Sequence, residues 1–295
     1  MVCLRDAGMP DLPPLSCGMS NVLVRAGLVS AAGRMAFGME ARGLPVLVSA
    51  NSLFDHKRGL FRKIPDALTD LDWALDSAGF VAMARYGKFP WSVAQYVDLA
   101  LLSGCTWWAQ MDCCCEPEIA ADRDVVRARV KATSQLLSMC RNTYLDATEA
   151  NRYLRDFTAE PMPVLQGWLP EDYRESVELA NRVLNGKWPD LVGLGSVCRR
   201  HLGGEAGLWR VLAAVDHVLP PHVRIHAFGV KGNALARLSE HPRIASTDSC
   251  AFEFRARVVS REAGISKSID LRLGILDQWM SKQVPAGAEQ LQLCV

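Results

Sequence analysis

Several common signals are missing from this 295-residue chain. No apolar run reaches the roughly 18 residues that a membrane-spanning helix needs. The first twenty residues lack a basic start followed by an apolar core, so no secretory signal is read and a cytoplasmic protein is expected. Ten cysteines are present, yet no two stand as Cys-x-x-Cys, which argues against a zinc ribbon or a redox dithiol. Most of them are expected to be reduced, many as small buried hydrophobes. Charge of either sign is not in excess: the net value is +1, so the total does not advertise a nucleic-acid binder, although a local basic patch can coexist with it. Linkers, repeats and low-complexity segments are also lacking, which points to one domain. What is abundant is apolar residues, at 49%, against 22% charged, enough for a well-buried core.

The apolar residues fall into short runs. Pro45 to Ala50 reads as a buried strand, followed by Leu71 to Asp76, the tryptophan-rich Cys105 to Asp112, Pro163 to Gly167, Leu191 to Val197, Val223 to Gly229 and Arg243 to Asp248. Asn21 to Val24 is a candidate first strand. Helical spacing lies between them: Pro90 to Ser103, Ala121 to Cys140, Thr148 to Phe157, Asp172 to Leu184, Gly207 to Val218, Asn233 to Ser239 and Ile269 to Lys282. Gly27 to Gly43 has weak helical spacing, and Asp55 to Lys63 reads as a charged loop. Near-continuous apolar strands alternating with helices are the pattern of a parallel sheet covered by helices. A (β/α)8 TIM barrel fits the count and the length. A doubly wound open sheet is the rival, but no Gly-x-Gly-x-x-Gly follows the first strand. The expected organisation is an irregular lead-in over 1–20, a barrel over 21–282 and a tail over 283–295.

In a barrel the chemistry gathers at the C-terminal ends of the strands. Those ends read Asn51, Asp76, Asp112, Gln166, Ser196, His226 with Gly229, and Asp248. One acidic residue after a strand is ordinarily a helix cap. Three carboxylates and an amide at one mouth are a different matter. Two carboxylates around a pocket suit glycosyl transfer, one attacking an anomeric carbon and one handling the leaving group's proton. A third can accept from the N1–H and exocyclic amine of guanine, while Gln166 meets the O6 side. Phe80 and Phe228 are placed to clamp a flat base, or simply to pack in the core.

The order of motifs then becomes informative. Asp76-Ser-Ala-Gly-Phe80, Met-Asp-Cys around Asp112, Val-Leu-Gln-Gly around Gln166, Gly193-Leu-Gly-Ser196, Ala-Phe-Gly-Val around Phe228 and Thr-Asp-Ser-Cys-Ala-Phe around Asp248 together resemble the tRNA-guanine transglycosylase superfamily. The resemblance runs from about Val46 to Arg257. It implies a (β/α)8 barrel that exchanges guanine for a 7-deazaguanine. Carried across motif by motif, it makes Asp248 the nucleophile and Asp76 the acid/base. Asp112 and Gln166 become readers of the guanine edge, Gly193 and Leu194 backbone donors beside it, and Phe80 and Phe228, with Gly229, the base slot.

The chain departs from the tRNA enzymes in two respects. Their zinc site is not reproduced: after Asp248 only Cys250 and Cys294 remain, with no histidine. Cys113-Cys114-Cys115 and Cys198-x-x-His201 do not supply a tetrahedral set, so no metal and no cofactor is expected. The chain also ends soon after the barrel, leaving no room for appended RNA-binding domains. The short, zinc-free form resembles the branch that places 7-deazaguanines in DNA. The expected partners are therefore DNA, with tRNA as the alternative, a free 7-deazaguanine base, and partner proteins of a DNA-modification system. Arg199 and Arg200 after one strand end, and Arg255 and Arg257 after another, are the candidate phosphate contacts; Lys57, Arg58, Arg62 and Lys63 sit after a third. A non-catalytic barrel that binds nucleic acid or a partner subunit, and a metal-dependent hydrolase, are the competing readings.

Overall fold

The structure is a computed structural model that describes residues 22–31, 33–230, 234, 237, 238 and 241–283. Seven strands make one parallel sheet: β1 (Leu23–Leu28), β2 (Val46–Ser49), β5 (Trp73–Asp76), β6 (Val164–Leu165), β7 (Leu191–Leu194), β8 (Arg224–Ala227) and β9 (Ile244–Ser249). Their order is β5-β2-β1-β9-β8-β7-β6, so neighbours follow the chain and the last strand lies beside the first. That winding belongs to a sheet curling back on itself. A doubly wound sheet would instead reverse its order at a switch point, and that rival is set aside. The result is a mixed α/β domain around a curled seven-stranded sheet.

The tryptophan-rich segment expected as a full strand is not one. Residues 106–110 run between β5 and the start of β6 and are held by two isolated parallel bridges, Leu75 with Trp108 and Ala109 with Met162. Backbone hydrogen bonds join Thr106 N to Trp73 O, Leu75 N to Trp107 O, Ala109 N to Leu75 O, Met162 N to Trp108 O and Gln110 N to Met162 O. The ladder then stops because a side chain replaces the backbone. Val164 N–H donates to Gln110 Oε1 (3.1 Å), and Gln110 Nε2 donates to Thr133 O (2.7 Å) on the helix outside.

Alternation along the strands sorts side chains into two regions. Val46, Val48, Trp73 and Leu75 face outward into one apolar cluster with the helices Arg34–Glu40 and Val93–Leu101; Leu165, Val192, Leu194, Ile225 and Ala227 face outward into a second, with Pro170–Leu184 and Leu208–Asp216. Ala109, Met162 and Val164, with Trp107, Leu191 and Phe228, form a small cluster inside the curl. Burial on both faces is why the strands read as unbroken apolar runs.

The helices obey their local signals. Ser92 and Gln95 form a reciprocal capping box at the start of Val93–Leu101. Asp122 Oδ1 accepts from Asp124 N and Val125 N, opening the 28-residue helix Arg123–Ala150. This helix runs ten residues beyond the expected Cys140 because its buried stripe of Val126, Val130, Thr133, Leu137 and Cys140 continues through Tyr144 and Thr148. The expected charged loop contains a short antiparallel hairpin, β3 (Phe54–Asp55) with β4 (Leu60–Phe61). The expected helix Asn233 to Ser239 and the tail beyond Gln283 lie largely outside the described residues. Among the described residues no helix is long and apolar enough to cross a membrane.

Trp108 ties the irregular segment to the core. It is fully buried, its Nε1 donates to Ala159 O (2.8 Å), and its ring contacts Tyr96 and Tyr144. Trp108→Ala is expected to cost about 3–5 kcal/mol, read as a lower denaturation midpoint at unchanged m-value.

Candidate active site

Every strand-end residue singled out in the sequence comes to one end of the sheet. Asp76 closes β5, in register with Ser49 of β2. Its carboxylate accepts from Ala78 N (3.1 Å), a tight turn that swings the chain toward Phe80. The turn needs a left-handed residue, and Ala78 supplies it at φ 63°. Gly79 follows because nothing larger fits: a Cβ there would lie 2.5 Å from Asp112 O and 2.6 Å from its Oδ1. The close backbone approach expected of this turn is therefore made, first of all, to Asp112.

Asp112 is buried and held on both oxygens. Ser77 Oγ donates to Oδ1 (2.6 Å) and Gln166 Nε2 to Oδ2 (2.5 Å). Gln166 Oε1 in turn accepts from Ser196 Oγ (2.5 Å), which also receives Cys115 N–H (2.7 Å). Ser196 adopts φ 55° to do so, a second non-glycine residue in the left-handed region. Gly195 leaves the space for the amide, since a Cβ there would stand 2.1 Å from Gln166 Nε2. This chain fixes the amide's orientation: its nitrogen faces Asp112 and its oxygen faces Ser196. Each Asp112 oxygen has a second lone pair with which to accept from a ligand.

Asp248, on β9, is nearly buried, and its Oδ1 accepts from Gly229 N (2.8 Å). Gly229 has φ 65° and is packed against Cys198. His226 Nε2 lies 3.4 Å from the same oxygen. Asp76 feels both of the other carboxylates. Burial, then Asp112, then Asp248 push the Asp76 carboxyl from its ordinary 3.8 up to about 7. Burial also raises Asp112, against the pull of its bonds from Ser77 and Gln166.

The floor beneath is aromatic. Phe228 packs over Gly193, where a Cβ would meet its ring at 2.6 Å, and it makes edge contacts with His226 and Trp107. Gly193 N–H donates to Pro163 O (2.7 Å) and Gly195 N–H to Leu165 O (2.9 Å), so both are committed to the sheet. Gly193, expected as a backbone donor to the base, thus contributes room for Phe228, and Leu194 is buried on the helix side of the sheet. Phe80 stands at the rim, 45% exposed, with the Arg199 guanidinium 5.3 Å over its ring.

The four arginines do not form one group. Arg199 donates from Nη1 and Nη2 to the two Glu118 oxygens (2.6 and 2.7 Å) and from Nε to the buried Glu116 (3.3 Å). Arg200 is buried; it donates to the carbonyls of Ser196, Trp168, Gly167 and Ala206 and to Tyr173 Oη, and lies 4.3 Å over Trp168. The expected phosphate contact at Arg200 is therefore corrected: its donors are spent clamping the loops behind Gln166 and Ser196. Arg255 and Arg257 are exposed on the helix Ala251–Ala263, which starts directly after Asp248.

Cys113, Cys114 and Cys115 are buried free thiols, and burial raises all three, Cys113 to about 11 and Cys115 to about 12. Such thiols are packing groups at neutral pH. Among the described residues no cluster of three or more His, Cys, Asp or Glu is placed to hold a metal. Sequence reasoning missed Arg25, Trp107 and Glu116. Arg25 carried a readable signal, as the one charged residue in the run Val22 to Leu28.

Acidic groups collected where parallel strands end, one of them with its proton affinity brought near neutrality, are chemically able to transfer protons, and that sets the class: an α/β enzyme with carboxylates at the strand ends. The family model DpdA, DeoxyPurine in DNA protein A, matches residues 35–284, and the chain belongs to that family. It is a DNA 7-deazaguanine transglycosylase-type family, which makes this chain a transglycosylase of deazapurine DNA modification. No curated protein matches the sequence.

Ala78 offers a direct test of the turn. A left-handed L-residue costs roughly 1–2 kcal/mol, part of which glycine returns as unfolded-chain entropy. Ala78→Gly is expected to stabilise the protein by about 0.5–1 kcal/mol, measured by denaturant titration, with the site's geometry kept.

Proposed function

We propose that this protein exchanges guanine in DNA for a free 7-deazaguanine of the preQ0 kind, through a covalent bond between Asp248 and the sugar. Asp248 attacks C1′ of a guanosine unit. The C1′–N9 bond breaks, its electron pair leaves with guanine, and Asp76 supplies the proton that guanine takes up. The incoming base then loses its N9 proton to the Asp76 carboxylate and attacks C1′, releasing Asp248. Two inversions leave the sugar configuration retained. One glycosidic bond replaces another, so the step balances with no oxidant or energy donor.

The observation that carries this reading is the proton affinity of Asp76. A carboxyl poised at about 7 can give a proton in one half of the exchange and accept one in the other. Asp112, Gln166 and Ser196 read the guanine edge: Asp112 accepts from N1–H and the exocyclic amine, and the oriented amide faces O6. Phe228 lies under the base, with Gly229 and the glycines of β7 keeping the slot open, and Phe80 covers it from the rim. A duplex base has to be flipped to reach such a site. Arg255 and Arg257 are the phosphate contacts on the helix that follows the nucleophile's strand, while Arg199 anchors the rim. Family membership favours DNA over tRNA as the polymer. We take residues 21–282 as one (β/α)8 barrel in which the segment 106–110 serves as the missing strand. The hydrogen bonds it makes to β5 on one side and to Met162 on the other support this.

The primary test is incubation with preQ0 and either DNA or tRNA, followed by nucleoside mass spectrometry of each polymer. Incorporation into DNA is expected, and Asp248→Ala is expected to abolish it while the protein stays folded. Incorporation at the wild-type rate by that variant would remove the nucleophile assignment.

The pH dependence follows from Asp76. Below about pH 4 both the folded and the unfolded chain hold its proton. Between about 4 and 7 the unfolded chain releases it and the folded enzyme keeps it, so stability contributed by this group is lost as pH rises to about 7. Asp76→Asn is expected to flatten that part of the stability–pH curve. In single turnover, guanine release is expected to fall as pH rises through about 7, because it needs the protonated form, and return of a base to the glycosyl-enzyme to rise over the same range.

A further inference from the structure

One buried group beside the proposed nucleophile has no role yet. His226 is fully buried, and its ring is wedged between Trp107 (4.9 Å between centroids) and Phe228 (4.6 Å), both edge-on. It is in register with Ser246 across the β8–β9 pair. Nδ1 lies 2.8 Å from Ser246 Oγ. Nε2 is buried with no hydrogen bond made at good geometry, and it lies 3.4 Å from Asp248 Oδ1. Ser246 and Asp248 are two apart on β9, so one strand face presents both partners to the two ring nitrogens.

Chemistry decides the tautomer. Asp248 can only accept when ionised, and a bare ring nitrogen aimed at it would repel. A serine hydroxyl can donate or accept. The consistent arrangement has Ser246 Oγ–H donating to Nδ1 and Nε2–H facing Asp248. Burial and the Arg25 charge both push the imidazole below its ordinary range, against the pull of Asp248, so it stays uncharged. Among the described residues, Gly229 N–H and His226 Nε2 both address the same carboxylate oxygen, Oδ1.

We infer that His226 is a positioning residue for the exchange reaction: with Gly229 N–H it anchors Asp248 Oδ1, so that Oδ2 is the oxygen presented to C1′. The inference rests on the reading of Asp248 as nucleophile. A neutral donor suits the task. When Asp248 becomes an ester its charge disappears, and an imidazole that was never charged is not left as an unpaired buried cation. The gap of 3.4 Å is longer than a formed hydrogen bond, and catalytic hydrogen bonds of this kind often tighten only as the transition state forms.

The experiment compares three variants with the wild type: Asp248→Ala, His226→Phe and His226→Gln. The Phe side chain keeps a ring of similar volume between Trp107 and Phe228 and removes the N–H. The Gln amide returns an N–H near the position of Nε2. Read-outs are the single-turnover rate of guanine release from a defined DNA, DNA affinity, and thermal midpoint. We expect His226→Phe to bind DNA within about twofold of wild type and to release guanine on the order of 100-fold more slowly, with His226→Gln recovering a tenfold or larger part. Wild-type release by a folded His226→Phe protein overturns the inference, and so does an equal loss in the Phe and Gln variants. Where the Phe variant fails to fold, the comparison of Gln with wild type decides, and a full loss in a folded, DNA-binding Gln variant counts against it. Guanine release by Asp248→Ala at the wild-type rate instead removes the reading on which the inference stands, so the two failures are told apart.

Discussion

Three carboxylates gathered where the strands end, with the charge of Asp112 and Asp248 bearing on the buried Asp76, are the constraint that the rest of the site answers. Desolvation and like charge each disfavour ionisation, and together they cannot leave three identical groups. The protein resolves this by giving each a different set of neighbours. Asp112 receives donors on both oxygens, from Ser77 and Gln166. Asp248 receives a backbone N–H from Gly229 with an imidazole behind it. Asp76 has a backbone donor at 3.1 Å from Ala78, the Ser49 hydroxyl beside it, and the like charge of both other carboxylates acting on it. The least supported group keeps its proton. Three aspartates thereby acquire three different environments.

That differentiation needs close packing of backbone, which explains the small residues around the mouth. Gly79 lets the turn press against Asp112, Gly195 admits the Gln166 amide, Gly193 admits the Phe228 ring, and Gly27 faces the Cys250 sulfur. Around the mouth, Ala78 and Ser196 are held in the left-handed region without glycine. Ser196 has a reason to be there, because its hydroxyl joins Cys115 N–H to Gln166 Oε1. Ala78 makes no comparable side-chain contact, and nothing in the structure explains why glycine is not used.

Much of this was legible in the chain. Strands buried on both faces announce themselves as apolar runs, so β2, β5, β6, β8 and β9 fall within about two residues of expectation, β7 starts where expected and ends at Leu194, and Asp76, Asp112, Gln166 and Asp248 do meet. What was not legible has identifiable causes. The segment 106–110 carries strand-like residues, yet Gln110 substitutes its side chain for a backbone partner at Val164, which no periodicity encodes. The β3–β4 hairpin has two residues per strand, too few to alternate. Arg199 and Arg200 were read by charge and place, but Glu116, Glu118 and a ring of carbonyls lie far off in sequence and claim their donors. Arg25 was passed over because an arginine in an apolar run looks like a strand end.

Arg25 sets the charge beneath the site. It is nearly fully buried, bound to Asp72 (2.9 Å) and to the carbonyls of Val46 and Asp72, and its guanidinium lies 5.6 Å from the Trp107 ring centre. In the sheet it is the register partner of Asp248. A buried cation this close to the floor favours negative charge at the mouth and disfavours a second positive charge between. His226 is therefore kept neutral by both its burial and Arg25, even with Asp248 next to it. Running upward, the inside of the curl carries an ion pair of Asp72 with Arg25, then the rings of Trp107 and His226, then the carboxylates. The rings separate the fixed cation from Asp248. A direct arginine–aspartate pair in that position would tie the Asp248 oxygens into an ion pair. Distance and an uncharged imidazole stand in place of such a pair.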